Sequence, residues 1–278
     1  MRLRKKHVKG AAIWLVCLMF ALISFAPVLW SVLTSFKTYI ETQMFPPKLL
    51  PKVFSLDNYK QLLLGRGSVV KPLLNSLEVS AATTVICLII GIPAGYSLSR
   101  FKTKHTHGIQ MWVIGMRMAP AVAVLVPYYI IYSKLGLVNS KVGLVILYVL
   151  SNVTFAVWLL SVFFDGVSKE IEEAAMVDGL SHWGTLIRIV VPLAANSILI
   201  IAAFVFIFSW NELIYAMNLC GQQTQTLPVI LSTYASDVSV QYQMMTATQV
   251  IQIIPVAIIT LLIQKNILTG LSFGAVKG

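Results

Sequence analysis

Six stretches of this chain are apolar at nearly every position, and its polar residues collect between them. Residues 10–36, 79–99, 142–164, 189–211 and 238–264 hold no charge, and 110–133 is interrupted only by Arg117. Each stretch supplies the ~20 apolar residues that carry a helix across a ~30 Å hydrocarbon layer. The pattern therefore predicts six membrane helices. The first covers about 11–35, the second about 74–98 and the third about 110–132. The fourth descends to 164, the fifth rises from about 194, and the sixth ends near 264. Gly91, Pro93 and Gly95 are expected to break the inner half of the second helix, and Pro120 and Pro127 to bend the third. Between the first two helices, three prolines in QMFPPKLLPK (43–52) exclude helix. SLDNYKQLLL (55–64) then reads as a short helix capped by Ser55 or Asp57, with Tyr59, Leu62 and Leu63 on one face.

Composition agrees. The chain is 58% hydrophobic and 11% charged, with a mean hydropathy of +0.82, whereas soluble domains carry about 25% charged residues. Its first apolar run is longer than that of a cleaved signal peptide and is expected to be retained. The net charge of +11 does not point to nucleic acid. Arg2, Arg4, Lys5, Lys6 and Lys9 crowd the start of the first span, which places the N-terminus in the cytoplasm. Six spans return the C-terminus to the same side. Arg100, Lys102 and Lys104 then fall inside, and the outer segment 221–245 holds no Lys or Arg. The outer loop 37–71, with six basic residues, runs against this orientation, but it is long and the rule counts mainly short flanks.

Little in the sequence points to catalysis. There is no glycine-rich phosphate loop of the G-x-x-x-x-G-K-[ST] kind, so this chain is expected to hydrolyse no ATP itself and to bind no cofactor. His105 and His107 lack further metal ligands nearby, and no metal site is expected. Cys17, Cys87 and Cys220 read as apolar packing residues.

Three ionisable residues at or near membrane depth stand out: Glu78, Arg117 and Glu212. Charge at depth is costly and faces a cavity or a partner. Glu78 lies close enough to the start of its helix to reach the headgroups. Trp210, Asn211 and Glu212 either line a solute path or clamp helices together. At about 1.5 Å of rise per residue, Arg117 sits roughly 10 Å deep and Glu212 roughly 27 Å deep. No direct pair is expected, and Arg117 is expected to face polar cavity space or backbone carbonyls.

The segment between the fourth and fifth spans gathers four of the ten acidic residues: Glu170, Glu172, Glu173 and Asp178. Ser168 is expected to cap a short helix whose positive N-terminal end favours Glu170 and Glu172. Ile171, Ala174, Ala175 and Asp178 fall on one face by spacing, with the paired alanines leaving a shallow spot for another protein. Gly179 is placed to end the helix in a left-handed conformation. Asp178 is expected to reach forward to N–H groups near Leu180 and Ser181. The next helix runs from Ser181 toward Pro192 and opens the fifth span. By itself this is either a docking surface or a solvated hairpin.

EEAAMVDG (172–179) with VPL (191–193) resembles the EAA motif of binding-protein-dependent ABC importer permeases. DNYKQLL (57–63), NSL (75–77), AGYSLSRF (94–101), SWNEL (209–213), TLPV (226–229) and GAVKG (274–278) are similar, in the same order, to the carbohydrate-uptake permeases of the maltose-permease type. The likeness covers nearly the whole chain. One departure is Phe273, where the glycine-rich end usually has a small residue.

The resemblance implies an all-α integral membrane protein with six transmembrane helices. Set in the inner membrane, its fold would be that of a type I importer permease (MetI-like), with cytoplasmic coupling helices. It implies one permease domain over 1–278, with a core of about 73–268, a coupling loop of about 165–192 and a tail of 269–278. The implied partners are a second homologous permease, two copies of a cytoplasmic ATPase carrying ATP and Mg, and an extracytoplasmic solute-binding protein, with lipid around them. The implied substrate is a sugar, oligosaccharide, polyol or related glycoside. Glu173, Ala174, Ala175, Asp178 and Gly179 would receive the ATPase stroke. Gly274, Ala275, Val276, Lys277 and Gly278 would insert toward the ATPase dimer. Arg117, Trp210, Asn211 and Glu212 are the pathway candidates. The competing reading, a self-contained secondary transporter or channel, needs its own coupling-ion site and gives the acidic loop no role.

Overall fold

The structure is a computed structural model that describes residues 2–65, 67–235 and 240–275. In chain order its helices are α1 (Arg2–Ser35), α2 (Tyr39–Thr42), α3 (Asp57–Leu64), α4 (Val70–Arg100), α5 (Thr106–Met116), α6 (Ala121–Lys134), α7 (Lys141–Asp165) and α8 (Lys169–Val177). Then come α9 (His182–Thr185), a wider π turn (Leu186–Val190), α10 (Val191–Leu193), α11 (Ala195–Trp210), α12 (Ile214–Leu219), α13 (Leu227–Thr233) and α14 (Tyr242–Ala275). Ile13–Ser35, Val70–Arg100, Lys141–Asp165 and Tyr242–Lys265 are each long and apolar enough to cross a membrane. Among the described residues these are four candidate spans, and they become as many as six if each of two bent pairs is one span.

Both bends have a local cause. Thr106–Met116 and Ala121–Lys134 meet at 85°. Pro120 lacks an N–H and holds extended backbone (φ −64°, ψ 129°) at the N-cap of α6, so helix cannot pass through it. The expected bend is therefore a break at Pro120, whereas Pro127 sits inside α6. His182–Leu193 and Ala195–Trp210 meet at 81°, about Ala194 at φ −91°, ψ 7°. Pro192 removes one backbone donor just before this break. The preceding π turn, in which the Val191 N–H reaches back to the Leu186 carbonyl, is one of the adjustments that re-satisfy a backbone freed by proline.

The second span differs from expectation. It runs unbroken from Val70 to Arg100 through Gly91, Pro93 and Gly95. Its glycines are packing surface. A Cβ on Gly91 would meet Leu160 Cδ1 at 3.1 Å, and one on Gly95 would meet Leu160 Cβ at 2.7 Å. Small residues one turn apart let the α4 and α7 backbones approach closely.

By its contacts the chain divides into two compact units, 1–70 with 231–253 and 71–230 with 254–278. In the first, Phe36 packs on Phe54 and Tyr59, with ring centroids 5.9 and 5.4 Å apart. The Asn58 amide donates to the Ser35 and Lys37 carbonyls, both at 2.8 Å, which satisfies the end of α1. The Lys37 ammonium donates to the Lys48 carbonyl at 2.6 Å, over the Trp30 ring. Glu41 completes a capping box with Thr38 and accepts the Lys52 N–H at 2.7 Å.

The second unit holds two apolar clusters. One joins α4, α7, the Leu186–Val190 turn and α11 through Cys87, Tyr96, Ala156, Leu160, Phe164, Leu186 and Ile201. The other joins α4, α6, α7, α12 and α13 through Val79, Tyr132, Leu147, Tyr148, Tyr215 and Val229. Beside the second cluster, the Asn75 amide donates to the Gln223 and Gln225 carbonyls, and the Ser76 hydroxyl accepts the Leu227 N–H at 2.8 Å. Asn139, at φ +59°, accepts from the Gly221 N–H at 2.8 Å and the Thr224 hydroxyl at 2.7 Å.

Candidate functional site

The acidic segment folds as a nine-residue helix, α8, placed between the end of α7 and the helical run that becomes α11. Its end is built on Gly179, at φ +94°. The Gly179 N–H bonds the Met176 carbonyl at 3.1 Å and the Leu180 N–H bonds the Ala175 carbonyl at 3.1 Å, the paired bonds of a Schellman cap. The chain turns back here and restarts at once. Ser181 takes the N-cap of α9, and its hydroxyl accepts the Gly184 N–H at 3.2 Å. That forward capping was expected of Asp178, which instead occupies the C-cap of α8.

One face of α8 is open. Ile171, Glu173, Ala174, Val177 and Asp178 are exposed, Val177 to 87%. The other face holds Glu172 and Ala175, both buried. This corrects the expected arrangement in three ways. Ala174 and Ala175 do not share a face. Ser168 takes the N-cap backbone position, but its hydroxyl accepts no capping N–H. Glu172 faces inward and leaves the solvated helix end to Glu170.

Glu172, 3% exposed, closes on the end of α4. It forms an ion pair with Arg100, whose Nε donates at 2.8 Å and whose terminal nitrogen donates to the same oxygen. The Tyr96 hydroxyl donates to the other oxygen at 2.9 Å. Arg100 also donates to the Val167 carbonyl at 3.1 Å and to Ser99 Oγ at 2.6 Å, while Ser99 donates to Asp165 at 2.7 Å. Sequence reasoning missed this cluster. Arg100 carried a signal, a cation closing an apolar helix, but that reads equally as a membrane-edge charge. Next to it, Pro93, Tyr96, Ser97, Phe101, His182, Trp183 and Leu186 line a cavity of about 380 Å³.

The pathway candidates do not form one group. Arg117, at the break between α5 and α6, lays its guanidinium over Phe155 at 4.7 Å and Phe208 at 4.5 Å. It was expected to face polar space or carbonyls and instead meets aromatic faces, where a weakly hydrated, delocalised cation is well accommodated. Trp210 is buried and stacks on Phe206 at 5.8 Å. The two Glu212 carboxylate oxygens accept the Tyr215 N–H at 3.0 Å and the Ala216 N–H at 3.2 Å, which caps α12. Asn211 is exposed. Glu78, expected at the headgroups, pairs with Lys141 at 2.5 Å. Gly274 and Ala275 lie in the last turn of α14, and Val276, Lys277 and Gly278 lie outside the described residues. Among the described residues no group of three or more His, Cys, Asp or Glu is arranged to hold a metal.

Residues 88–272 match the family described as binding-protein-dependent transport system inner membrane component. The chain is 30% identical over 253 residues to the sulfoquinovosyl glycerol transport system permease protein SmoH of Agrobacterium fabrum, covering 91% of this chain and 88% of that protein. It is 31% identical to the inner membrane ABC transporter permease protein YcjP of Escherichia coli, with 94% of each covered. To the trehalose transport system permease protein SugB of Mycobacterium tuberculosis it is 30% identical, covering 91% and 92%. Its fold is similar to a chain of a bacterial ABC transporter that imports the acidic polysaccharide alginate. The TM-score is 0.78 at 22% identity, with 94% of this chain and 97% of that one covered.

Proposed function

We propose, from the premise that this chain belongs to the family of binding-protein-dependent transport system inner membrane components, that it passes a sugar or sugar-like solute and takes its power stroke at α8. The chain is a multi-pass permease subunit of an ABC importer, a transport component and not an enzyme. A carbohydrate substrate is supported by relatives named for sulfoquinovosyl glycerol and for trehalose.

The partners would be a second permease of the same kind, a solute-binding protein on the outer side, and two ATPase subunits carrying ATP and Mg beneath. The positive N-terminal flank supports cytoplasmic termini. α8 then lies on the ATPase side, and the tail 274–278 would lie there too. Between the permeases, Arg117 and Asn211 are candidates to meet the solute. Trp210 and Glu212, one packed and the other capping, would support that wall.

The observation that carries the α8 assignment is its open face joined without slack to a span. Exposed Ile171, Glu173, Ala174, Val177 and Asp178 offer apolar and acidic contacts, and the Gly179 cap leads directly into His182–Leu193 and on to α11. A push on α8 would reach that span through the tight Gly179 turn and the bend at Ala194, with no long loop between them. In the complex with both ATPases and the second permease, Glu173→Lys and Gly179→Val should leave this chain inserted and reduce ATPase recruitment or substrate-stimulated hydrolysis. Normal recruitment and coupling in both variants would remove α8 from this role.

A further inference from the structure

We infer that Glu172, Arg100 and Tyr96 form a second mechanical link, through which α8 moves the α4 span together with α11. This rests on the reading of α8 as the element that receives the ATPase stroke. The backbone ties α8 to α7 on one side and, through Gly179 and α9, to α11 on the other. Its buried face ties it to α4.

Arg100 ends α4 and holds the start of α8 at two points. One is the Val167 carbonyl just before the helix, and the other is the Glu172 carboxylate within it. The second contact is two-toothed, because Nε and a terminal nitrogen both reach Glu172 Oε1. Two charge-assisted bonds converge on that one oxygen, and the direction of the carboxylate is fixed by holding its other oxygen as well. Tyr96, one turn earlier on α4, takes the other carboxylate oxygen, so Glu172 cannot swing away from Arg100 without breaking a further bond. The Arg100 and Glu172 side chains are 9% and 3% exposed. Little of either charged group meets solvent, so breaking one of these bonds leaves a poorly compensated polar atom, and the pair resists gradual sliding. Ser99 and Asp165 extend the grip to the end of α7. Stability alone is a weak reason for such a pair, since apolar packing of similar volume serves as well as a buried ion pair. What the charges add is a fixed orientation between two helices that have no covalent connection nearby. Glu172, Arg100 and Tyr96 are thus positioning residues, and Glu173 on the open face is left for the ATPase.

The complete complex, with binding protein and ATPases, tests this in two ways. Spin labels at Lys169→Cys on α8 and Ser97→Cys on α4, in a background with Cys17 replaced, report their separation in the nucleotide-free and ATP-bound states. A rigid link keeps that distance constant within about 2 Å while labels elsewhere on the transporter move. A separation that changes with nucleotide overturns the link. In parallel, Glu172→Gln and Tyr96→Phe are assayed for solute moved per ATP hydrolysed. The expected result is assembled complex that still hydrolyses ATP, with this ratio down about tenfold in Glu172→Gln and two- to threefold in Tyr96→Phe. Arg100→Lys, which keeps charge but not the two-toothed geometry, should resemble Glu172→Gln. If Glu172→Gln does not assemble, Tyr96→Phe and the distance measurement decide. Full coupling in Tyr96→Phe and Glu172→Gln alongside loss of coupling in Glu173→Lys rejects the link alone. Full coupling in all of them rejects α8 as the coupling element.

Discussion

Gly95 and Leu160 stand so close that a Cβ on Gly95 would lie 2.7 Å from the Cβ of Leu160 and 3.1 Å from the Ser161 nitrogen and the Val157 oxygen. Two of these neighbours are backbone, so the clash cannot be relieved by a rotamer change. Gly95→Ala is expected to push α4 and α7 apart and to cost about 1–3 kcal/mol, the usual penalty for overpacking. Gly115→Ala, where nothing lies within 4 Å, is the control and should be neutral or slightly stabilising. Thermal unfolding of the purified complex distinguishes them. Equal melting of the two variants would mean that the α4–α7 contact yields easily.

Gly179 sets up a different kind of cost. Nothing lies within 4 Å of a Cβ placed there, so only its φ of +94° opposes a side chain. Gly179→Ala should therefore cost about 1–2 kcal/mol, the left-handed penalty, without disturbing neighbours. Gly179→Asn should cost less, because Asn tolerates positive φ. Hydrogen exchange of the Gly179 and Leu180 amides, which close the cap, reads this directly. Protection should fall in the order Gly, Asn, Ala, and equal protection in all three would show that the cap does not depend on glycine.

Glu212 and Arg117 should separate on mutation. Glu212→Ala removes both acceptors that cap α12 and should cost about 0.5–2 kcal/mol, as loss of a helix cap does. Glu212→Gln keeps one acceptor and should cost less. Any fall in uptake from either should follow the amount of assembled complex. Arg117→Met keeps apolar contact with Phe155 and Phe208 and loses the charge. Uptake should fall while assembly holds, as expected of a group that meets the solute. Normal uptake in Arg117→Met would take Arg117 off the pathway.

Glu41 adds a pH dependence outside the spans. The Lys52 N–H, and less strongly the Thr38 N–H, hold its carboxyl below the usual range. A lowered folded value means that the contribution is full above the unfolded value of about 4 and is lost as pH falls through the folded one. A nitroxide at Val53, exposed beside this contact, should gain mobility as the medium is acidified through that range. In Glu41→Gln it should be mobile already at neutral pH. A label with no pH response in the wild type would show that this contact does not order the loop.

Much of the fold was legible because lipid demands long apolar helices, and six apolar stretches are hard to read otherwise. The resemblance motifs turn out to be junctions. NSL reaches TLPV through Ser76 and Leu227, and AGYSLSRF reaches the acidic loop through Arg100 and Glu172. Gly179 was legible because a left-handed cap has a local chemical signature. The orientation of α8 was not. Glu172 and Glu173 are adjacent and alike, and what draws one of them inward is an arginine 72 residues away. Gly91 and Gly95 read as helix breakers because their packing partner, Leu160, is far away in sequence. The break at Ala194 was hidden because its neighbouring proline precedes it, at a position that reads as an ordinary helix start.

The central claim, a permease subunit driven by a partner ATPase, is tested most directly by sugar uptake into proteoliposomes. These would hold this chain, its second permease and the ATPase dimer, with binding protein on the outside and ATP within. Uptake should require ATP and binding protein, vanish when this chain is omitted, and be unaffected by collapsing proton and sodium gradients. Uptake that proceeds without ATP, or is driven by an ion gradient through this chain alone, would contradict it.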